Sequence, residues 1–318
     1  MRSNNVLGFI FAATLDDKIP ELASSRTTAS VPIGGKYRII DFDLSNMSNS
    51  GISNVGIVAK SNFQSLMDHV GSGSAYDLSK RRSNLSILPP YDGKAFSSFV
   101  ETIYNMHGYI EHCREEYVLI SQGNVITNID YTDVFDFHSK KKADITLIYK
   151  NHAIPQGYDR PITLDVDNDG KVNQIFVKPG VVDKGVFNHA YGSILIKKDL
   201  LMSEIRNAIS VNQLDVRRLI QSSLGKYSIY AYENKGYCAA ISSINDYNIS
   251  ISVQNHGECP SPDIADTILL PFCTDKQEHL GLGLAIASET ADAMNGKLYW
   301  NHADGFTCFT ITTGLTKI

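Results

Sequence analysis

No window of the chain holds the roughly 18 unbroken apolar residues of a membrane-spanning helix. The N-terminus starts like a signal peptide, but its apolar run, Val6–Ala12, is short, and Thr14-Leu15-Asp16-Asp17 follows at once. It therefore reads as a first buried strand. The five cysteines (113, 238, 259, 273, 308) form no C-x-x-C pair. An odd number of scattered thiols fits reduced cysteines in a cytosolic protein better than a disulfide framework. There is no basic excess: 29 basic against 34 acidic groups give a net charge of −5. That argues against a broad nucleic-acid surface, though not against the binding of one nucleotide. Low-complexity linkers and internal repeats are absent. With 43 % apolar and 20 % charged residues over 318 positions, the composition is that of a folded chain of about two domains.

What is present is divided unevenly. Residues 249–318 hold three Lys, no Arg, five Asp and three Glu, a net −5, which leaves residues 1–248 neutral with 26 groups of each sign. All ten arginines lie at or before Arg218, and the single tryptophan, Trp300, lies in the last segment. The shift near residue 248 marks a boundary between a domain 1–248 and a segment 249–318.

Within the first part, Val6–Ala12, Asn54–Ala59, Tyr117–Ser121 and Ile145–Tyr149 are continuous apolar runs, as strands buried on both faces are. Between them, Phe42–Ser50, Phe63–His69, Phe99–Cys113 and Tyr131–Lys142 carry apolar residues at helical spacing. The alternation predicts an α/β fold: a Rossmann-like, mainly parallel sheet with helices on both faces, binding ligands beyond the carboxyl ends of its strands. Further on, Ile162–Val166 and Val172–Val177 flank the turn signal Asp167-Asn168-Asp169-Gly170, a hairpin signature. Tyr191–Ile196 reads as a strand, with helices at Asp199–Ile209 and Leu214–Ser223. Tyr227–Glu233 and Tyr237–Ile241 read as a second hairpin around Asn234-Lys235-Gly236.

Asp165–Gly170 imitates the start of a calcium loop, but the twelfth position, which needs a bidentate Glu, is Phe176. A β-turn is the better reading. Gly34 and Gly35 beside Lys36 and Arg38 could bring backbone N–H groups and positive charge to a phosphate, or could be a turn with solvated bases. The nine histidines form no H-x-x-x-H or H-E-x-x-H pair, so no zinc site and no Ser/His/Asp or Cys/His constellation can be argued. Lys140–Lys142 is a solvated, dipole-compensating helix end.

The stretch Pro32–Ile57, beginning Pro-Ile-Gly-Gly-Lys-Tyr-Arg-Ile-Ile-Asp-Phe, closely resembles the N-terminal signature of bacterial glucose-1-phosphate adenylyltransferases (ADP-glucose pyrophosphorylases). Gln64–Leu78, Ile129–Tyr131, Lys235–Tyr237 and Ser243–Tyr247 continue the likeness, which covers about residues 5–248. It implies a nucleotidyltransferase fold and a role in glycogen biosynthesis, the family making ADP-glucose and pyrophosphate from ATP and glucose 1-phosphate. Such a reaction needs donors to hold the triphosphate and carboxylates to hold Mg²⁺. The family's glycine-rich loop is replaced here by Ala12–Asp17, with no glycine from residue 12 to 30. Its phosphate lysine aligns with Thr28, and its two metal aspartates align with Asn124 and Ala240. Of its Glu-Lys-Pro sugar-phosphate motif, Lys178 and Pro179 are kept and the Glu is Val177. The resemblance is thus to the non-catalytic GlgD-type subunit, which pairs with a catalytic homologue in a hetero-oligomer. It leaves a vestigial pocket for sugar phosphate or nucleotide at Gly34, Gly35, Arg38, Asp41 and Lys178, no catalytic residue and no bound metal. Mg²⁺ would enter only if displaced ligands such as Asp16, Asp17 or Asp130 made an active enzyme.

The β-helix that follows in the family would show hexapeptide repeats; residues 249–318 show none. Instead Ile249–Gly257, Leu270–Lys276, Leu280–Ala287 and Asn295–Leu298 resemble, in order, the last half of a histidine-kinase ATPase domain. That family's Gly-Leu-Gly-Leu turn corresponds to Gly281–Leu284, with Gly281 and Gly283 as a weak phosphate turn opening a helix at Leu284–Met294 before strands Lys297–His302 and Phe306–Thr312. Half of such a fold cannot surround ATP, so an ATP-binding signalling module is the lesser alternative. The join reads as a fusion, produced by gene rearrangement or by an error of sequence assembly.

Overall fold

The computed structural model describes residues 3–13, 19–33, 37–59, 62–79, 83–89, 98–153, 161–177, 185–241, 250–256, 260–261, 267–270, 283–293, 296–303 and 306–312. The chain divides into two compact units, one formed by Met1–Ile33 and Tyr37–Ser243, the other spanning Ile244–Ile318.

The first unit is built on Val6–Phe11, every residue of which is buried. Its side chains alternate between two cores. Leu7, Phe9 and Phe11 join Val118, Ile120, Val100, Ile103 and Ile205 on one face. Val6 and Ile10 join Ile40, Leu44, Met47, Val134 and Phe135 on the other. A strand of period two with helices on each side must be apolar at every position, which is why the run is unbroken. The sheet follows the order Asn84–Leu88, Asn54–Val58, Val6–Phe11, Tyr117–Gln122, Val186–Lys197, Ile145–Ala153, Ile229–Glu233. Neighbours run parallel except on the two sides of Val186–Lys197, which is antiparallel to both Tyr117–Gln122 and Ile145–Ala153. The mainly parallel sheet with helices on both faces is the architecture the alternation predicts.

The hairpin Ile162–Val166/Val172–Val177 is present and joins the sheet through Thr163 opposite His189. Its turn is an Asp167 cap: the carboxylate accepts from the N–H groups of Asp169 and Lys171, both at 2.9 Å, and Gly170 supplies the positive φ of 84°. The second expected hairpin is not formed. Ile229–Glu233 pairs parallel with Ile145–Tyr149, whereas Cys238–Ala240 crosses to pair antiparallel with Val125–Thr127. Asn234 redirects the chain: its Oδ1 accepts from Gly236 N (2.9 Å) and its Nδ2 donates to Thr127 Oγ1 (2.8 Å). The helix expected over Phe99–Cys113 is two helices, Phe99–Asn105 and His107–His112. The break comes where His107 Nδ1 donates to the Tyr104 carbonyl at 2.7 Å, the acceptor a continuous helix would offer to Gly108.

In the second unit, Ser250–His256, Phe306–Thr312 and Lys297–Ala303 form an antiparallel sheet in that order. Helix Gly283–Ala293 packs on Lys297–Ala303, burying Ala285, Ala291 and Leu298. Among the described residues Leu270, Ile286 and Tyr299 stay more than half exposed. No helix among the described residues is long and apolar enough to cross a membrane.

Candidate functional site

In the first unit, strands Val6–Phe11 and Tyr117–Gln122 deliver their carboxyl ends side by side. Gly123 N donates to Phe11 O at 2.9 Å, and Ala12 N donates to Val58 O at 2.9 Å. A Cβ on Gly123 would lie 2.8 Å from Ala29 Cβ, 3.0 Å from Phe11 O and 3.1 Å from Ala12 Cα, so only glycine permits this approach. Asn124, next in line, is buried. Its Nδ2 donates to Ile241 O (3.0 Å), and Ile241 N donates back to Asn124 O (2.8 Å). One residue further, Val125 faces Ala240 across the short antiparallel pair. The two positions that carry metal carboxylates in the resembled family thus lie together here as an amide and a methyl group.

Magnesium asks for a near-octahedral set of oxygens, usually including one or two carboxylates. Asn124 Oδ1 is buried without a hydrogen-bond partner among the described residues, and it is a single neutral oxygen. Ala240 has no donor atom, and no group of three His, Cys, Asp or Glu residues is placed to hold an ion among the described residues. The donor set at this pair does not fit Mg²⁺. Thr28, at the position of the family's phosphate lysine, is fully buried in the turn Thr28–Ser30 and cannot reach a ligand in solution.

Arg38 and Asp41 come together at the start of helix Ile39–Asn49. Arg38 N donates to Asp41 Oδ2 at 2.9 Å, a capping interaction favoured by the helix dipole. The other oxygen, Asp41 Oδ1, contacts His69 Nε2 at 2.6 Å and accepts from Tyr76 OH at 2.5 Å. Burial, together with that bond, pushes the Tyr76 phenol well above its ordinary pKa, so it stays a donor. The Arg38 guanidinium donates to Ser65 O (2.5 Å) and Ser65 Oγ (2.7 Å). Burial, and then Arg26, lower its pKa from the ordinary value. Both side chains are therefore held by protein partners, tying the helix to Gln64–Val70 and the turn Ser74–Tyr76. Gly34, Gly35, Lys178 and Gly281, like Asp16 and Asp17, lie outside the described residues. Gly283 begins helix Gly283–Ala293. Asp130 caps helix Tyr131–Lys141, accepting from Thr132 N (2.8 Å) and Ser50 Oγ (3.3 Å).

One buried ionisable group belongs to no sequence motif. Asp43, on helix Ile39–Asn49, is fully buried; its Oδ1 accepts from Ser121 Oγ at 2.6 Å and its Oδ2 has no hydrogen-bond partner among the described residues. Burial pushes its pKa up to about 7, against the opposing pull of the Ser121 bond. Only its place on the inward stripe of the helix, two residues beyond Asp41, signals it.

A family model described as nucleotidyl transferase matches residues 17–248. Among curated proteins, the glucose-1-phosphate adenylyltransferase of Clostridium acetobutylicum is 31 % identical over 254 residues, covering 77 % of this chain and 66 % of the relative. That of Bacillus subtilis is 30 % identical over 252 residues, covering 75 % and 64 %. The chain thus spans just under two thirds of the length of these relatives. Among solved structures, one described as a glucose-1-phosphate thymidylyltransferase from Bacillus anthracis, in complex with sucrose, is 12 % identical. It superposes with a TM-score of 0.60 over 75 % of this chain and 90 % of that one, a likeness of fold.

Proposed function

Since the chain belongs to the nucleotidyl transferase family, matched over residues 17–248, we propose that it is a regulatory, non-catalytic subunit of a glucose-1-phosphate adenylyltransferase. It acts in glycogen biosynthesis by assembling with a catalytic homologue into a hetero-oligomer. The relatives bearing that enzyme's name supply the substrate class: ATP and glucose 1-phosphate going to ADP-glucose and pyrophosphate. The observation that carries the reading is the Asn124–Ile241 link beside Ala240. Where nucleotidyl transfer calls for fixed charge around a migrating phosphoryl group, this chain has a hydrogen bond that closes the sheet.

The same reading takes Gly34, Gly35, Arg38, Asp41 and Lys178 as a vestigial sugar-phosphate pocket. Arg38 and Asp41 support that description through their engagement with Ser65, His69 and Tyr76. It places the protein in the cytoplasm, where Cys113, Cys238 and Cys308, free in the structure, stay reduced. It takes the second unit as a fused fragment of a histidine-kinase-like ATPase domain, with no catalytic part to play.

The test is pyrophosphate release from ATP and glucose 1-phosphate, with the protein alone and then mixed with a catalytic homologue. The expected result is silence alone and altered kinetics of the partner. Turnover by the pure protein, or a partner whose kinetics do not change, would overturn the proposal.

A further inference from the structure

His152 and His189 stand 37 positions apart in sequence, in no motif, and meet only in the first unit's sheet. In the pairing of Ile145–Ala153 with Val186–Lys197, Phe187 lies opposite His152 and His189 lies opposite Lys150. Residues opposite one another, and residues two apart on one strand, share a face of the sheet. His152, Lys150 and His189 therefore project from the same face, the two histidines as diagonal neighbours. His189 is buried and His152 is partly exposed. His152 Nε2 and His189 Nδ1 are 3.3 Å apart. The ring centroids are 5.4 Å apart, and the planes are inclined by only 23°. Since the centroids are farther apart than the nitrogens, the rings lie side by side with one nitrogen of each turned toward the other.

That spacing bears on what the pair can hold. Hydrogen bonds from N–H to oxygen ordinarily put the heavy atoms roughly 2.7–3.2 Å apart, so 3.3 Å is long for a shared proton. A zinc ion at its ordinary imidazole distance, roughly 2.0–2.1 Å from each nitrogen, would subtend about 107° between them, close to the tetrahedral angle. The ligating form of histidine is the neutral imidazole, and burial favours it. Burial, and then Lys150, lower the pKa of His152; burial, and then His152, lower that of His189 to about 3. In a neutral pair, a proton on a facing nitrogen moves to the outer nitrogen of the same ring when an ion binds, so no net proton is released. The donors also select the ion. Among the described residues no third His, Cys, Asp or Glu joins the pair, so Mg²⁺ and Ca²⁺ find no carboxylate here. Imidazole nitrogen suits Zn²⁺, Ni²⁺ and Cu²⁺. Lys150 raises the cost of any cation, but its ammonium is engaged elsewhere, donating to Lys235 O (3.1 Å) and Gly236 O (2.7 Å). Two protein ligands, with water in the remaining positions, make a weaker site than the three or four that hold a resident zinc.

We propose that His152 and His189 form a two-histidine site for an exchangeable Zn²⁺ ion, which clamps strand Ile145–Ala153 to strand Val186–Lys197. The site does not rest on the regulatory reading, because it uses none of the residues that reading turns on. The test is calorimetric titration of the full chain with Zn²⁺, alone and in excess Mg²⁺, together with thermal unfolding with and without Zn²⁺. Zn²⁺ is expected to bind, to raise the unfolding midpoint, and to resist displacement by Mg²⁺. His152→Gln, on a partly exposed side chain, should weaken Zn²⁺ at least tenfold and abolish the zinc-dependent rise in the midpoint. A second readout needs no variant: substoichiometric Cu²⁺, a paramagnetic ion, should broaden the imidazole NMR signals of His152 and His189 before those of the other histidines. Zinc held instead by the free thiols Cys113, Cys238 or Cys308 would keep its affinity in His152→Gln. That result, the absence of Zn²⁺ binding, displacement of Zn²⁺ by Mg²⁺, or Cu²⁺ broadening that begins at other histidines would each overturn the proposal.

Discussion

Asp43→Asn should stabilise the protein at neutral and alkaline pH and leave it nearly unchanged in acid. The wild-type carboxyl is fully buried, and its pKa rises from 3.8 to about 7 on folding, chiefly through loss of solvation. A group whose folded pKa is raised binds its proton more tightly in the native state, so stability falls as pH climbs through the interval between the two values. At ~1.4 kcal/mol per pH unit, the interval from 3.8 to about 7 corresponds to roughly 4 kcal/mol, fully lost above the folded pKa. Asparagine keeps an oxygen to accept from Ser121 and cannot ionise. Urea unfolding followed by circular dichroism, from about pH 4 to about pH 8, gives the difference between variant and wild type. That difference should be near zero at the acid end and grow to a few kcal/mol above neutrality. Taking the difference removes every other titrating group from the comparison. A gap that does not change with pH would refute the reasoning, because it would mean that the buried carboxylate carries its charge at no cost. Ser121→Ala gives a cross-check: removing the donor that favours the charged form should push the Asp43 pKa higher still.

Asn124→Asp replaces a donor to Ile241 O with a carboxylate facing that carbonyl, so it should lower stability by about 1–3 kcal/mol. Excess Mg²⁺ should not restore it while position 240 is alanine; a thermal shift with and without Mg²⁺ reads both effects. Gly123→Ala presses a methyl into Phe11 O and Ala12 Cα, backbone atoms that cannot yield, and should cost about 1–3 kcal/mol in urea unfolding. His138 moves in the sense opposite to Asp43. Burial depresses its pKa from 6.5 to about 4, so folding holds it neutral and stability is lost as pH falls from 6.5 toward 4. In His138→Asn that acid-side loss should shrink, as measured by urea midpoints across the same range.

The strands on which the sheet depends are legible because burial on both faces makes their runs almost wholly apolar; the buried Ser121 is accepted only with Asp43 as its hydrogen-bond partner. Val6–Phe11 and Tyr117–Gln122 announce themselves in this way. Asn84–Leu88 did not, since its residues are only partly buried and Asn84 and Ser86 break the run. Val125–Thr127 was too short to signal itself. Asn234-Lys235-Gly236 reads as a turn and does change the chain's direction, but its side-chain bonds to a distant strand, not its local sequence, decide where the chain goes next. The signature around Arg38 and Asp41 located the helix start. That their charges meet Ser65, His69 and Tyr76 is a tertiary fact.

The crossing that ties Asn124 to Ile241 has a consequence for synthesis. The two residues are 117 positions apart, so the middle of the chain leaves the ribosome long before its partner does. Until Ile229–Glu233 and Cys238–Ala240 emerge, strand Ile145–Ala153 keeps an open edge and Val125–Thr127 has no mate. Nascent chains stopped short of residue 229 should therefore be the species that chaperones hold and that self-associate. Release of these last two strands gives Ile145–Ala153 and Val125–Thr127 their partners and ends the sticky stage.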